Sequence, residues 1–325
     1  ILTLSNAGQI NIDAFGLNLA GGGATTNSGV INVGGASTAN LGISAGHNIN
    51  NAGGTMNVGV GSVINQFGST ITGGTINTFP TGGLVAFSNT NNVLSGVTLN
   101  GVLDVATNAN ARERIANGMT LNGNVNIANG GIVSLDSTLG AANSIGGTGT
   151  FYLNDGNARL ALEGTGTTTL GANIVVRGQG NIGQPAIAGG NNTLVNNGRI
   201  SADVNGFSLT IVPGAGSGTV TNNNILDARG GGALFLSANV NNSAGQINAQ
   251  NGSVVVHNGV TITGGTLGTS GSGEIRAVSS AASFLDGVTL GGTLDLTHYA
   301  NSRERIINGA TINGAVNIAN GGILS

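Results

Sequence analysis

The residues best suited to chemistry come in two matching sets. Arg112-Glu113-Arg114 and Arg303-Glu304-Arg305 hold six of the 21 charged side chains (9 basic plus 12 acidic), and Asp104 and Asp295 stand eight positions before each first Arg. One reading makes each set a solvated corner fixed by Asp–Arg and Glu–Arg pairs, which are worth little at a surface. The other makes it a contact between laterally packed copies, because Arg forks suit carboxylates and amides at interfaces. Both readings stay open on sequence grounds.

Enzymatic chemistry asks for more. Glycoside hydrolysis needs two carboxyls roughly 5 to 9.5 Å apart, and lyase chemistry a base near a substrate carboxylate, often with calcium on clustered Asp. No two of the twelve acids are adjacent or two apart in sequence. Asp136, Asp155 and Glu163 form one acidic stretch, and Asn154-Asp155-Gly156 reads as a turn. His47 and His257 stand without acids at metal-ligand spacing, and His298-Tyr299 is replaced one repeat earlier by Thr107-Asn108. All three are expected to be ordinary solvated or corner histidines. Gly21-Gly22-Gly23 and Gly230-Gly231-Gly232 lack the Asp of a calcium loop, and without Lys no phosphate-cradling P-loop is possible. The reading therefore assigns no catalytic residue, no cofactor and no metal.

The elements that position these residues follow from composition and repetition. Charged residues make up 6% of the chain, all nine cations are Arg, and 61 Gly and 47 Asn dominate. Nine scattered arginines in a chain of net charge −3 offer no stripe for nucleic acid. No apolar run approaches the roughly 18 residues of a spanning helix. Ten scattered Phe and Tyr (8 plus 2) cannot form the aromatic girdles of a membrane barrel. Neither nucleic-acid binding nor membrane insertion is expected. Disorder is unlikely for so weakly charged and apolar a chain. Without Cys there is no disulfide framework.

Residues 96–134 and 287–325 match without a gap at an offset of 191, with 27 of 39 positions identical. Within this super-repeat G-x-T-(I/L)-x-G begins at Gly68, Gly96, Gly118, Gly259, Gly287 and Gly309. Asn-Gly-aliphatic segments recur about every 21 to 25 residues, as at Ile10, Ile31 and Met56. Such periods belong to solenoids. Short alternating runs such as Val125-Asn126-Ile127 read as strands with one apolar face, and Gly and Asn supply the positive φ of tight corners. The predicted fold is all-β: a right-handed parallel β-helix of about 15 coils of roughly 20–28 residues. It is one continuous solenoid over 1–325, with super-repeat copies at about 1–190 and 191–325, the second incomplete. Aliphatic side chains should stack inside, and recurring Asn should form amide ladders at the corners. A chain opening at Ile1 and closing in mid-repeat is expected to be a piece of a longer polypeptide.

The rhythm of Leu4-Ser5-Asn6-Ala7-Gly8-Gln9-Ile10 and Leu194-Val195-Asn196-Asn197-Gly198-Arg199-Ile200 resembles the coil repeats of filamentous haemagglutinin-like bacterial surface proteins. The tandem super-repeat is similar to that of the long adhesins of bacterial envelopes. The resemblance implies an extracellular or surface-displayed β-helical segment for adhesion, biofilm matrix or envelope scaffolding. Self-association into filaments and contact with host or matrix glycans are the partners expected of it. The alternative is a carbohydrate-active or glycan-binding β-helix, a lyase, hydrolase or tailspike-like protein.

Overall fold

The computed structural model describes residues 3–35, 37–140, 143–214 and 217–325. Among them there is no helix, and parallel strands stack into a β-solenoid of about 14 turns, close to the 15 expected. The chain divides into two compact units, Ile1–Leu160 and Ala161–Ser325.

In the first unit the early coils lay down three short strands each, two of which merge into one longer strand from Val93–Asn100 onward, and each strand pairs with its counterpart about one coil later. Thr3–Asn6, Ala24–Asn27 and Asn48–Asn50 make one column. Gln9–Ile12, Val30–Val33 and Thr55–Val58 make the second. Leu17–Leu19, Asn40–Ile43, Val63–Gln66 and Gly83–Ala86 make the third. Alternation along each strand sends every second side chain inward, so in-register pairing stacks like upon like. Ile49, Ile71, Leu94, Ile115 and Leu135 form one buried aliphatic column. Each such side chain contributes about 1.5–3 kcal/mol relative to exposure.

The second unit repeats the plan. Leu194, Val220, Val240, Ile262 and Leu285 form one inner column. Val176, Ile200, Leu226, Ile247 and Leu267 form another. The super-repeat is carried into backbone geometry. Register shifts at a bulge between Ser95 and Val97, and again between Asp286 and Val288, 191 residues later. The Gly of the I-x-G-G-T segments has an equally local cause. Gly74 and Gly265 have φ of 67° and 68°, and a Cβ on either would lie 2.0 Å from the carbonyl oxygen of Asn51 or Asn242.

Those asparagines belong to the expected ladders. Asn6 Nδ2 donates to Asn27 Oδ1 and Asn27 Nδ2 to Asn51 Oδ1, each at 2.7 Å and buried. Asn196, Asn222 and Asn242 repeat the arrangement at 2.8 and 2.7 Å. Spare amide hydrogens reach backbone carbonyls, as from Asn6 to Val30 and from Asn196 to Ile225, so the ladder's NH2 groups are satisfied along and across the corners. A longer, outer ladder crosses the first unit. Asn122, Asn100, Asn77, Asn57, Asn32 and Asn11 are linked by five amide bonds of 2.8–2.9 Å, each later residue donating to the earlier one.

Candidate functional site

The structure corrects the solvated-corner reading of the charged triplets. Arg112–Leu121 and Arg303–Ile312 are strands, and strand alternation turns the middle residue of each triplet inward. Glu113 and Glu304 are fully buried. Neither Asp pairs with the triplet that follows it. Asp104 accepts from the Ala106 and Thr107 N–H groups at 2.8 and 2.9 Å and so holds its own corner. Asp295 does the same with Thr297 N–H at 2.8 Å, and Arg276 lies 3.7 Å from its carboxylate. Arg112 Nη1 donates to the carbonyls of Asn110, Ala111 and Gly130 at 2.9–3.0 Å. Burial, with Arg159 nearby, lowers its pKa. Arg114 forks onto Asp136, with Nε at 2.8 Å and Nη2 at 2.6 Å from Oδ2. Arg303 is exposed, and the Arg305 guanidinium lies 4.9 Å from the centre of the Phe284 ring.

What the two glutamates meet inside was not foreseen. Ile211, Leu236, His257 and Ala277 occupy one inner column of the second unit. Beyond Ala277, whose small side chain leaves room, Glu304 Oε2 reaches back to His257 Nδ1 at 2.7 Å, both residues fully buried. His257 Nε2 stands 2.7 Å from the Val260 carbonyl oxygen. A carbonyl only accepts, so Nε2 carries a hydrogen, and a single proton is shared between Nδ1 and Glu304. Glu113 and Gln66 stand at the same separation (113 − 66 = 47, as for 304 − 257) in the first unit. Gln66 Nε2 donates to the Ser69 carbonyl at 2.8 Å, as His257 does to Val260. Gln66 Oε1 and both Glu113 oxygens are buried without a hydrogen-bond partner. His47 is buried too, 2.9 Å from Thr25 Oγ1, and burial lowers its pKa. His257, at the end of the strand Val254–His257, is thus neither solvated nor at a corner; His47 stands at a corner but is buried there, and His298 is exposed and packs edge-on against Tyr299.

Desolvation pushes the Glu113 carboxyl well above its ordinary 4.5, opposed only in part by the neighbouring Arg114 backbone N–H, which lies outside hydrogen-bond geometry. A carboxyl raised in the folded state contributes stability that is whole below the unfolded value and is lost as pH rises through the folded one. Unfolding of the chain is therefore expected to become easier from about pH 4.5 upward. The slope should approach about 1.4 kcal/mol per pH unit until the raised value is passed. Glu113→Gln should remove that slope, read from urea midpoints between pH 4 and 8. An unchanged slope would mean that Glu113 is not its source.

The densest charge cluster lies elsewhere, on the outer face of the second unit. Arg177 pairs with Asp203, and Arg229 lies 3.5 Å from the same oxygen. Arg199 forks onto Asp227, which also accepts from Ser201 Oγ and, at 3.3 Å, from Gln250 Nε2. The Asp side chains are 6% and 0% exposed, the three Arg 30–40%. Scanning for carboxyls close together in sequence missed this plate. Its members sit one coil apart, and the signal was the spacing from Arg177 to Asp203 to Arg229. Asp155, read as part of a turn, falls within the strand Thr150–Glu163, where it accepts from Asn157 N–H at 2.7 Å.

Shallow grooves follow the G-x-T repeats. One is lined by Gly96, Thr98, Asn117 and Thr120, and a second by the matching Gly287, Thr289, Asn308 and Thr311. Among the described residues no three His, Cys, Asp or Glu side chains gather as metal ligands.

No family model matches the chain. No curated protein matches it either. Among solved structures, it is similar to a crystal structure of a TibC-catalysed, hyper-glycosylated TibA fragment, at 14% identity over 99% of this chain and 97% of that one, with a TM-score of 0.29.

Proposed function

We propose that this chain is a structural segment of a bacterial surface or extracellular protein, a stiff β-solenoid that serves adhesion, matrix or envelope scaffolding through self-association. The observation that supports this most is rung-to-rung repetition of both apolar columns and amide ladders within each unit. Repetition of that kind makes each coil a support for the next, and stability grows with the number of coils. The outer surface adds a reason for contact between copies. Phe15, Val60 and Phe79 lie at the same corner on three coils of the first unit, with one coil between the first two, and are 102%, 66% and 51% exposed. Exposed apolar side chains that recur along one edge of a solenoid add up to a stripe suited to contact with another copy.

Negative-stain electron microscopy with sedimentation of the purified chain tests the reading. Elongated assemblies are expected, and Phe15→Ser with Phe79→Ser should shift them toward single particles without loss of the β circular-dichroism signal. Particles that stay single at all concentrations and shorten a polysaccharide would overturn it in favour of a carbohydrate-active β-helix.

A further inference from the structure

We infer that the arginine plate of the second unit binds a carboxylate-bearing polysaccharide, a polyuronate laid along the stacking direction. The inference rests on the adhesive reading above and supplies its ligand class.

Three of the nine arginines converge on neighbouring coils, from the strands Val175–Gly183 and Arg199–Ala202 and from the position just after Ile225–Ala228. Against them stand Asp203 and Asp227, so the plate carries a formal +1 (three Arg minus two Asp) in a chain of net charge −3. The two carboxylates lie beneath and the guanidiniums above, which fixes the forks while leaving their outer edges to solvent. A fork held in this way loses little freedom on meeting a further carboxylate. Gln246 and Asn248 on the adjoining strand, with Gln250 just beyond its end, add amides of the kind that hydrogen-bond sugar hydroxyls. Successive coils stand about 4.8 Å apart, a step similar to the length of one sugar in a chain. The plate is thus suited to a polymer with charges at short, regular intervals.

The solenoid does not need this plate. In the first unit the same coil positions, three residues past each buried ladder Asn, begin at Gln9 and Val30 in place of Arg199 and Ile225. There the outward column is Asn11, Asn32 and Asn57, an amide ladder with no arginine, and the strands pair in the same register. The same register is thus built elsewhere in the fold without the cluster, which leaves the plate available to a ligand.

The test is binding of polygalacturonate, with its fully methyl-esterified form as the neutral control, followed by calorimetry or a surface-bound polymer. Wild-type chain should bind the acid form, lose affinity steeply as salt rises, and ignore the ester. Arg177→Gln with Asp203→Asn and Arg229→Gln removes the charges as neutral amides, so no buried carboxylate is left unpaired. This variant should unfold near the wild-type temperature yet bind at least about tenfold more weakly. Equal binding of acid and ester by the wild type, or equal affinity of a folded triple variant, would overturn the assignment. Binding of dextran sulfate but not polygalacturonate would overturn it as well. Polymer length is followed in the same samples. Shortening would sink the structural reading while leaving the plate's affinity for polyuronate in place, and absence of binding with intact assemblies would do the reverse.

Discussion

Glu163→Gln should cost the chain about 2–6 kcal/mol and release the segment from Ala186 to Gly189. The buried Glu163 carboxylate accepts four consecutive backbone N–H groups, with Oε1 2.6 and 2.9 Å from Ala186 and Ile187, and Oε2 2.8 and 3.1 Å from Ala188 and Gly189. Each oxygen serves two donors. Glutamine has nearly the same shape, but one of its two positions becomes an NH2 group. Two backbone donors then face a donor, and each unsatisfied buried group costs about 1–3 kcal/mol. Urea denaturation reads the total, and hydrogen exchange reads the place. The amides of residues 186–189 should lose protection while those of the inner strands keep theirs. If those four amides exchange as slowly in the variant, the carboxylate is not what holds the segment.

The second large effect belongs to the His257–Glu304 pair. Glu304→Ala leaves His257 Nδ1 buried without a partner and opens a void, so a loss of about 3–5 kcal/mol is expected. His257→Gln should be far milder, because the first unit already builds this place with Gln66, on the same type of backbone carbonyl and at the same separation from its glutamate. The pair of variants separates a specific contact from mere volume. Two losses of similar size in urea unfolding would mean that the imidazole has no special role.

Fold and repeat were legible because they rest on spacing. The 191-residue offset and the Asn-Gly-aliphatic rhythm fix coil length, and alternation within Thr-Ile-Thr or Val-Asn-Ile fixes which face is apolar. The triplets were legible as a recurring pair but not as to where they sit. Charge alone suggested solvent, whereas alternation on a strand that turns Arg112 and Arg114 outward requires Glu113 to face in. His257 was read as isolated because its partner is 47 residues away, across an intervening coil. Asp203 and Asp227 went unremarked for a similar reason. In a solenoid, neighbours in space are one or two coils apart in sequence, and chemical motifs have to be sought at that interval.

The outer amide ladder of the first unit also bears on how the protein ages. Asn100 and Asn122 are two of its rungs, and each is followed by Gly, the residue that least shields an asparagine from loss of its amide as ammonia. A carboxylate at position 100 still accepts from Asn122, but it has no hydrogen to offer Asn77, and two oxygens are left facing each other across a former hydrogen bond. The change is one-way and needs no enzyme. Asn11, Asn32, Asn57 and Asn77 are instead followed by Ile, Val, Val and Thr, so the ladder is open to this change at one end and shielded over the rest of its length.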